Sequence, residues 1–215
     1  SLKVKLAHYL LRSITKKVTC NSDFVFSFGG QITDILLQIG ARKEQIIESP
    51  IGIESSWLTE NLDQRGDAIR KFVFVGRNER RKGIQELTCA LKQLLQKDGI
   101  PFEFHFIGDI PEPIRIKSKN IIYHGKIMQE GKIQAILQSS DVLVCPSYSE
   151  GMPTVIMEAM ASGRALICTK APGCNSCIVE GKNGYFCEVS SSDSLKESMQ
   201  KIINSKDLMP VMGNY

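Results

Sequence analysis

Two carboxylates, Glu150 and Glu158, stand eight positions apart in SEGMPTVIMEAMASG, residues 149–163. The preceding DVLVCPS (141–147) has the short, apolar character of a buried strand, so residues 147–152 form the loop at its carboxyl end. Pro153 suits a first helical turn, where its missing N–H would be unpaired anyway, and Gly163 stops the helix. Glu150 is therefore a loop residue, and Glu158 lies one to two turns inside a helix. A continuous helix would separate them by ~12 Å along its axis. That suits an extended ligand gripped at two points better than two acids sharing one proton. The helix is apolar enough to leave Glu158 little exposed surface, and a buried carboxylate needs hydrogen-bond donors. Vicinal hydroxyls of a sugar or ribose supply two at once; a backbone group or an arginine would also satisfy it.

A second cluster lies upstream in VGRNERRKG, residues 75–83. A strand ends at Gly76, Arg77 follows, and Lys82-Gly83 opens a helix. Two cations thus meet a helix N-terminus, where free N–H groups and the helix dipole already favour an anion. A planar guanidinium and a point-charge ammonium together suit a diphosphate; a solvated basic turn is the plainer alternative.

Several other chemistries lack their residues. G-x-G-x-x-G does not occur, and Gly29-Gly30 lacks the third glycine of a nicotinamide site. The Gly-Lys pairs at 125–126, 131–132 and 181–182 are not followed by Ser or Thr, which excludes a Walker A loop. There is no G-x-S-x-G elbow and no Asp-x-Asp for a metal-held nucleotide. His8, His105 and His124 are not spaced as zinc ligands, and Cys174-x-x-Cys177 has no partner pair, so both sets read as structural.

The elements that must carry these residues alternate. Strands are expected at 71–76, 102–108, 120–125, 141–147, 164–169 and 184–189, with helices at 83–99, 128–140, 153–163 and 194–205. The helix at 83–99 has apolar residues at 84, 87, 90, 91, 94 and 95, a clear 3.6-residue period. Such alternation predicts an α/β fold, a Rossmann-like doubly wound parallel sheet, with ligands beyond the carboxyl ends of the strands. Upstream, a basic amphipathic helix is expected over 4–18, a strand at 23–28, a helix over 31–40 and a short strand within 44–53; residues 54–67 read as a polar loop.

Bulk composition is that of an ordinary globular domain: 215 residues, 42% hydrophobic, 23% charged, formal net charge +4. The first 22 residues carry Lys3, Lys5, Arg12, Lys16 and Lys17 and no acid. A solvated helix face accounts for them; peripheral contact with an anionic membrane is the sharper reading. No apolar run approaches the ~20 residues of a membrane span. No secretory pattern is seen, and Ser1 does not look like a native start. Seven cysteines, several in apolar strands, fit a reducing cytoplasm. Basic residues are not interleaved with aromatics, which argues against nucleic acid as a partner.

FVGRNERRKG (74–83), FHFIGD (104–109), HGKI (124–127), residues 141–169, PGC (172–174) and VEGKNGYF (179–186), in this order, resemble the C-terminal domain of retaining glycosyltransferases of family 4, which have the GT-B fold. The resemblance implies a donor domain over residues 44–215, binding a nucleotide sugar with no cofactor and no metal, with a uridine diphosphate carrier the first expectation. It implies that residues 1–43 are the tail of a missing N-terminal domain that holds the acceptor, a sugar or lipid-linked glycan. By position, Glu150 would contact the transferred sugar and Glu158 the ribose hydroxyls. Arg77 and Lys82, beside the Gly76 strand end, would bind the diphosphate. Backbone N–H groups over Gly151, Met152, Pro153, Thr154 and Val155 would complete its cradle, and Ile127 would lie against the base. After PGC, where relatives often carry Arg-Glu, this chain has Asn175-Ser176. The expected activity is that of a hexosyltransferase, weak or absent in this chain alone. A GT-B sugar-nucleotide epimerase and a non-catalytic nucleotide-binding module serving a partner chain remain as alternatives.

Overall fold

A computed structural model describes residues 2–49, 52–58, 69–96, 101–151, 153–171, 173–174 and 178–204. The chain divides into two compact units, Ser1–Gly52 and Ile53–Tyr215. In the first, α1 (Leu2–Asn21) leads to β1 (Val25–Ser27), α2 (Gln31–Gln38) and β2 (Ile46–Glu48). The two strands pair in parallel, Val25 opposite Ile46. The buried Gln45 donates from Nε2 to the carbonyls of Thr19, at 2.7 Å, and Ser22, at 3.1 Å. It thereby ties the end of α1 to β2. These contacts join Gln45 to the segment before it.

The second unit contains β3 (Arg70–Val75), α3 (Ile84–Leu95), β4 (Phe102–Ile107), β5 (Ile121–Tyr123), α4 (Glu130–Ser139), β6 (Val142–Cys145), α5 (Thr154–Ala161), β7 (Ala165–Thr169), β8 (Gly184–Cys187) and α6 (Ser192–Asn204). The expected alternation is present, with most elements a residue or two shorter than their apolar runs. The six strands form one sheet in the order β5-β4-β3-β6-β7-β8, all neighbours parallel.

Alternate residues of each strand serve opposite faces, as the two-residue period requires. Phe72, Phe74, Val142, Val144, Ala165 and Ile167 join Leu87, Leu91 and Leu94 of α3 and Leu195, Met199 and Ile202 of α6. Val73, Leu143, Cys145, Leu166 and Cys168 join Leu137 of α4 and Ile156 and Ala159 of α5. Helices therefore cover both faces, which is why the strands read as continuous apolar runs.

The strand order fixes where a ligand can bind. From β3 the chain winds outward through β4 and β5, then returns to place β6 on the other side of β3. The reversal opens a crevice between the carboxyl ends of β3 and β6. The loops that leave those two strands carry VGRNERRKG and SEGMP.

Candidate functional site

Residues 80–82 form a single 3₁₀ turn after β3, and α3 begins only at Ile84. Between them Gly83 takes a left-handed conformation, φ 70°. A Cβ on Gly83 would collide with the carbonyl oxygen of Pro146, so only glycine lets the two loops approach this closely. The Tyr148 N–H donates to the Arg81 carbonyl at 2.7 Å, which joins them further. On its other side the Glu150 loop packs on Gly173, also left-handed, where a Cβ would strike the carbonyls of Glu150 and Gly151.

This clamp brings Lys82 onto Glu150. The ammonium Nζ lies 2.6 Å from Oε1, with the side chains 17% and 7% exposed. Arg81 Nη1 reaches the other oxygen at 3.3 Å. Arg81 also donates from Nε to Glu79 at 2.7 Å, and Glu79 in turn holds Arg77 Nε at 2.9 Å. A mostly buried carboxylate thus faces two cations, an arrangement that satisfies its charge.

Lys82 also lines a cavity of about 350 Å³ together with Glu158, Thr154, Val155, Pro153 and Glu130. Burial pushes the Glu158 carboxyl above its ordinary range; the Thr154 hydroxyl opposes this and the neighbouring Glu130 adds to it. One lysine therefore stands between the two acids of the Glu-x7-Glu stretch. Glu158 falls in the second turn of α5, in the region the spacing predicts. Pro153 is the residue that caps α5, in an extended conformation and without a side-chain hydrogen bond. The Ile156 N–H donates to the Pro153 carbonyl at 3.0 Å; the first N–H groups of an α-helix have no acceptor in the turn before them, which leaves those of Thr154 and Val155 to a ligand or water.

Arg77 is not drawn into the Lys82–Glu150 pair. It is 79% exposed, paired with Glu79, and lines a neighbouring cavity of about 620 Å³ with Gly76, Gly108, Lys126 and Ile127. The two cavities share Val75 and Ile133. Gly108 (φ 143°) is so close to Gly76 that a Cβ would overlap the Gly76 carbonyl, and its N–H donates to the Gly125 carbonyl at 2.9 Å. These contacts bring the exits of β3, β4 and β5 together, with Ile127 half-buried at their mouth. Gly151 is exposed in the loop; Met152 and Cys177 lie outside the described residues. Cys174 is wholly buried beneath this loop system, in the core cluster with Cys145 and Cys168.

Sequence reasoning missed Arg81, Glu79, Trp57 and Glu130. The first two lie inside the quoted motif and were legible as charges, but not as partners. Trp57 is the one tryptophan, a signal in itself, although its neighbours read as a polar loop.

Glycosyl transferases group 1 is the family whose model matches, over residues 64–215. The protein TuaC of Bacillus subtilis, named for teichuronic acid biosynthesis, is 33% identical over 162 residues, covering 71% of this chain and 40% of its own length. The crystal structure of HepE from Anabaena with UDP and glucose superposes with a TM-score of 0.78 at 15% identity, over 94% of this chain and 59% of HepE. The C-terminal domain of a group 1 glycosyl transferase from Francisella tularensis, LpcC, superposes with a TM-score of 0.64 at 27% identity, over 75% of this chain and 93% of that domain. This chain thus spans less than two-thirds of TuaC and of HepE but nearly the whole of the isolated domain. The sheet is that of the Rossmann-like half of a GT-B fold, and with the family model matched over residues 64–215 the chain belongs to the glycosyl transferases group 1.

Proposed function

We propose that the second unit binds a nucleoside diphosphate sugar, and that the whole protein transfers the sugar, with retention of configuration, to a glycan acceptor held by a further domain. The observation that carries this reading is Lys82, ion-paired with Glu150 and lining the cavity of Glu158 at the strand switch point. Glu158 would accept hydrogen bonds from the ribose, Ile127 would lie against the base, and Lys82 and the N-terminus of α5 would take the diphosphate. Arg77 would join once it leaves Glu79. The diphosphate would draw Lys82 from Glu150, freeing that carboxylate for the sugar while Arg81 keeps it from standing alone. HepE, a protein of the same fold, holds UDP and glucose, and a uridine nucleotide is the first carrier to test here.

As the sugar–phosphate bond breaks, charge grows on the leaving diphosphate beside Lys82. A preorganised donor at such a point contributes about 3–4 kcal/mol. Lys82→Ala in the complete enzyme is therefore expected to lower kcat by ~100-fold or more. The assay would include a chelator, since this stabilisation uses no metal. Turnover near the wild-type rate in a folded Lys82→Ala protein would sink the proposal.

A further inference from the structure

The cavity of Glu158 contains a second carboxylate that the proposed reaction leaves unused. Glu130 opens α4 and lines the same space as Glu158, Thr154 and Lys82. Among the described residues it makes no ion pair, although Lys82 lines the same cavity. Its Oε1 instead accepts a hydrogen bond from the Trp57 indole N–H at 3.3 Å. Trp57 is only 3% exposed, packed in the core cluster with Ile156 and Ala159 of α5. The buried Ser162 hydroxyl holds the Trp57 carbonyl at 3.2 Å, and Gln134, one turn along α4 from Glu130, donates to the Ser56 carbonyl at 2.5 Å. Residues 56–57 are thereby fastened to both helices that flank the cavity. The indole fixes one oxygen of an otherwise exposed carboxylate.

A second acid in a cavity meant for an anionic ligand is unfavourable unless the ligand brings hydrogen-bond donors to it. Ionised carboxylates only accept. A vicinal diol presents two hydroxyl donors at fixed separation, and a space of about 350 Å³ has room for a pentose. A site built to hydrogen-bond a hydroxyl rejects the analogue that lacks it, because its own polar group is left unpaired. We propose that Glu130, positioned by Trp57, is a second hydroxyl acceptor beside Glu158 and makes the site selective for ribonucleoside diphosphates over their deoxy forms. This rests on the donor-site reading above and adds to it a specificity-determining residue and a positioning residue.

The test is calorimetric titration of this chain with uridine, guanosine and adenosine diphosphates, followed by the 2′-deoxy and 3′-deoxy forms of the tightest binder. The wild type is expected to bind the ribonucleotide at least ~10-fold more tightly than one of its deoxy forms, as for a hydrogen bond to a charged group. Glu130→Ala and Glu130→Gln should bring that ratio towards one, with the thermal midpoint little changed in Glu130→Gln, which keeps an acceptor for the indole N–H, and lowered in Glu130→Ala, which does not. Trp57→Phe, which keeps the ring and removes the N–H, should bring it part of the way. An unchanged ratio in folded Glu130→Gln, with binding still lost in Glu158→Gln, would overturn the role of Glu130 and leave the donor site standing. Absence of any discrimination in the wild type would overturn it too. Failure of a folded wild-type chain to bind any of the three ribonucleotides would remove the donor-site reading and this inference together.

Discussion

Glu158 is buried at some cost. Its folded pKa is raised, first by burial and then by Glu130, so the folded state binds the proton more readily than the unfolded chain. The corresponding stability is present below the ordinary carboxyl range and is lost as pH rises through the raised value. At neutral pH the ionised side chain works against folding, and Glu158→Gln is expected to raise the thermal midpoint while weakening nucleotide binding by ~10-fold or more. Scanning calorimetry at pH 7 and pH 4.5 checks this: the gain should be larger at pH 7. A lower midpoint at pH 7 would mean that Glu158 is a structural acceptor. At this scale the sequence was informative where one short stretch carries its own context. Glu150, Glu158 and Lys82 were legible because a strand end, a proline or glycine and a charge come together locally. The Trp57–Glu130 contact was not, because its partners are 73 residues apart in the chain and no spacing rule links them. Arg77 is legible as a charge on the loop after β3, but its pairing with Glu79 two residues later depends on the turn's geometry, which charge alone does not fix.

Between elements, the site depends on two close approaches. Gly83 is left-handed and abuts Pro146, so Gly83→Ala pays both a backbone penalty and a displacement of the loop that carries Lys82. A loss of about 2 kcal/mol or more in denaturant unfolding is expected, with weaker nucleotide binding; a change below ~0.5 kcal/mol would show that the loops can separate freely. The other approach joins the middle of β4 to the residue that follows β5. His105 Nδ1 and His124 Nε2 are 2.9 Å apart, a contact that needs a neutral acceptor nitrogen. Burial lowers both pKa values below the ordinary 6.5, and at His105 the charge of His124 and of Lys71 adds to this while Glu103 opposes it. The unfolded chain therefore takes up protons first on acidification. The stability is present above pH ~6.5 and is lost as pH falls towards the lowered folded values. His124→Gln should flatten the stability profile between pH 7 and 5; an equal slope in both proteins would assign the acid sensitivity elsewhere. Apolar runs and periodicity identified each strand and α-helix among the described residues of the second unit, since burial on both faces writes itself into the sequence; the 3₁₀ turn at 55–57, in a stretch that reads as a polar loop, was not legible. Periodicity could not show that β2 pairs with β1, because a three-residue strand has no period long enough to say which neighbour it joins.

For the whole molecule, the described residues of the second unit form a six-stranded sheet with two covered faces, while those of the first include two paired strands and many exposed apolar side chains. Leu10, Leu11, Ile14 and Val18 of α1 are more than half exposed, and so are Phe24 and Phe26 around β1. Among the described residues no helix is long and apolar enough to cross a membrane. We propose that a further domain covers the first unit and supplies the acceptor site, in keeping with the chain's 40% share of TuaC and 59% share of HepE. Donor binding, by contrast, is assigned wholly to the second unit, and that division is the central claim. It is tested most directly by calorimetric titration of this chain with uridine, guanosine and adenosine diphosphates, alongside Lys82→Ala and Glu158→Gln. The account predicts binding of one nucleotide by the wild type, a rise of the thermal midpoint with its concentration, and loss of that binding in both variants. Binding that survives both substitutions, or no binding by a folded wild type, would contradict it.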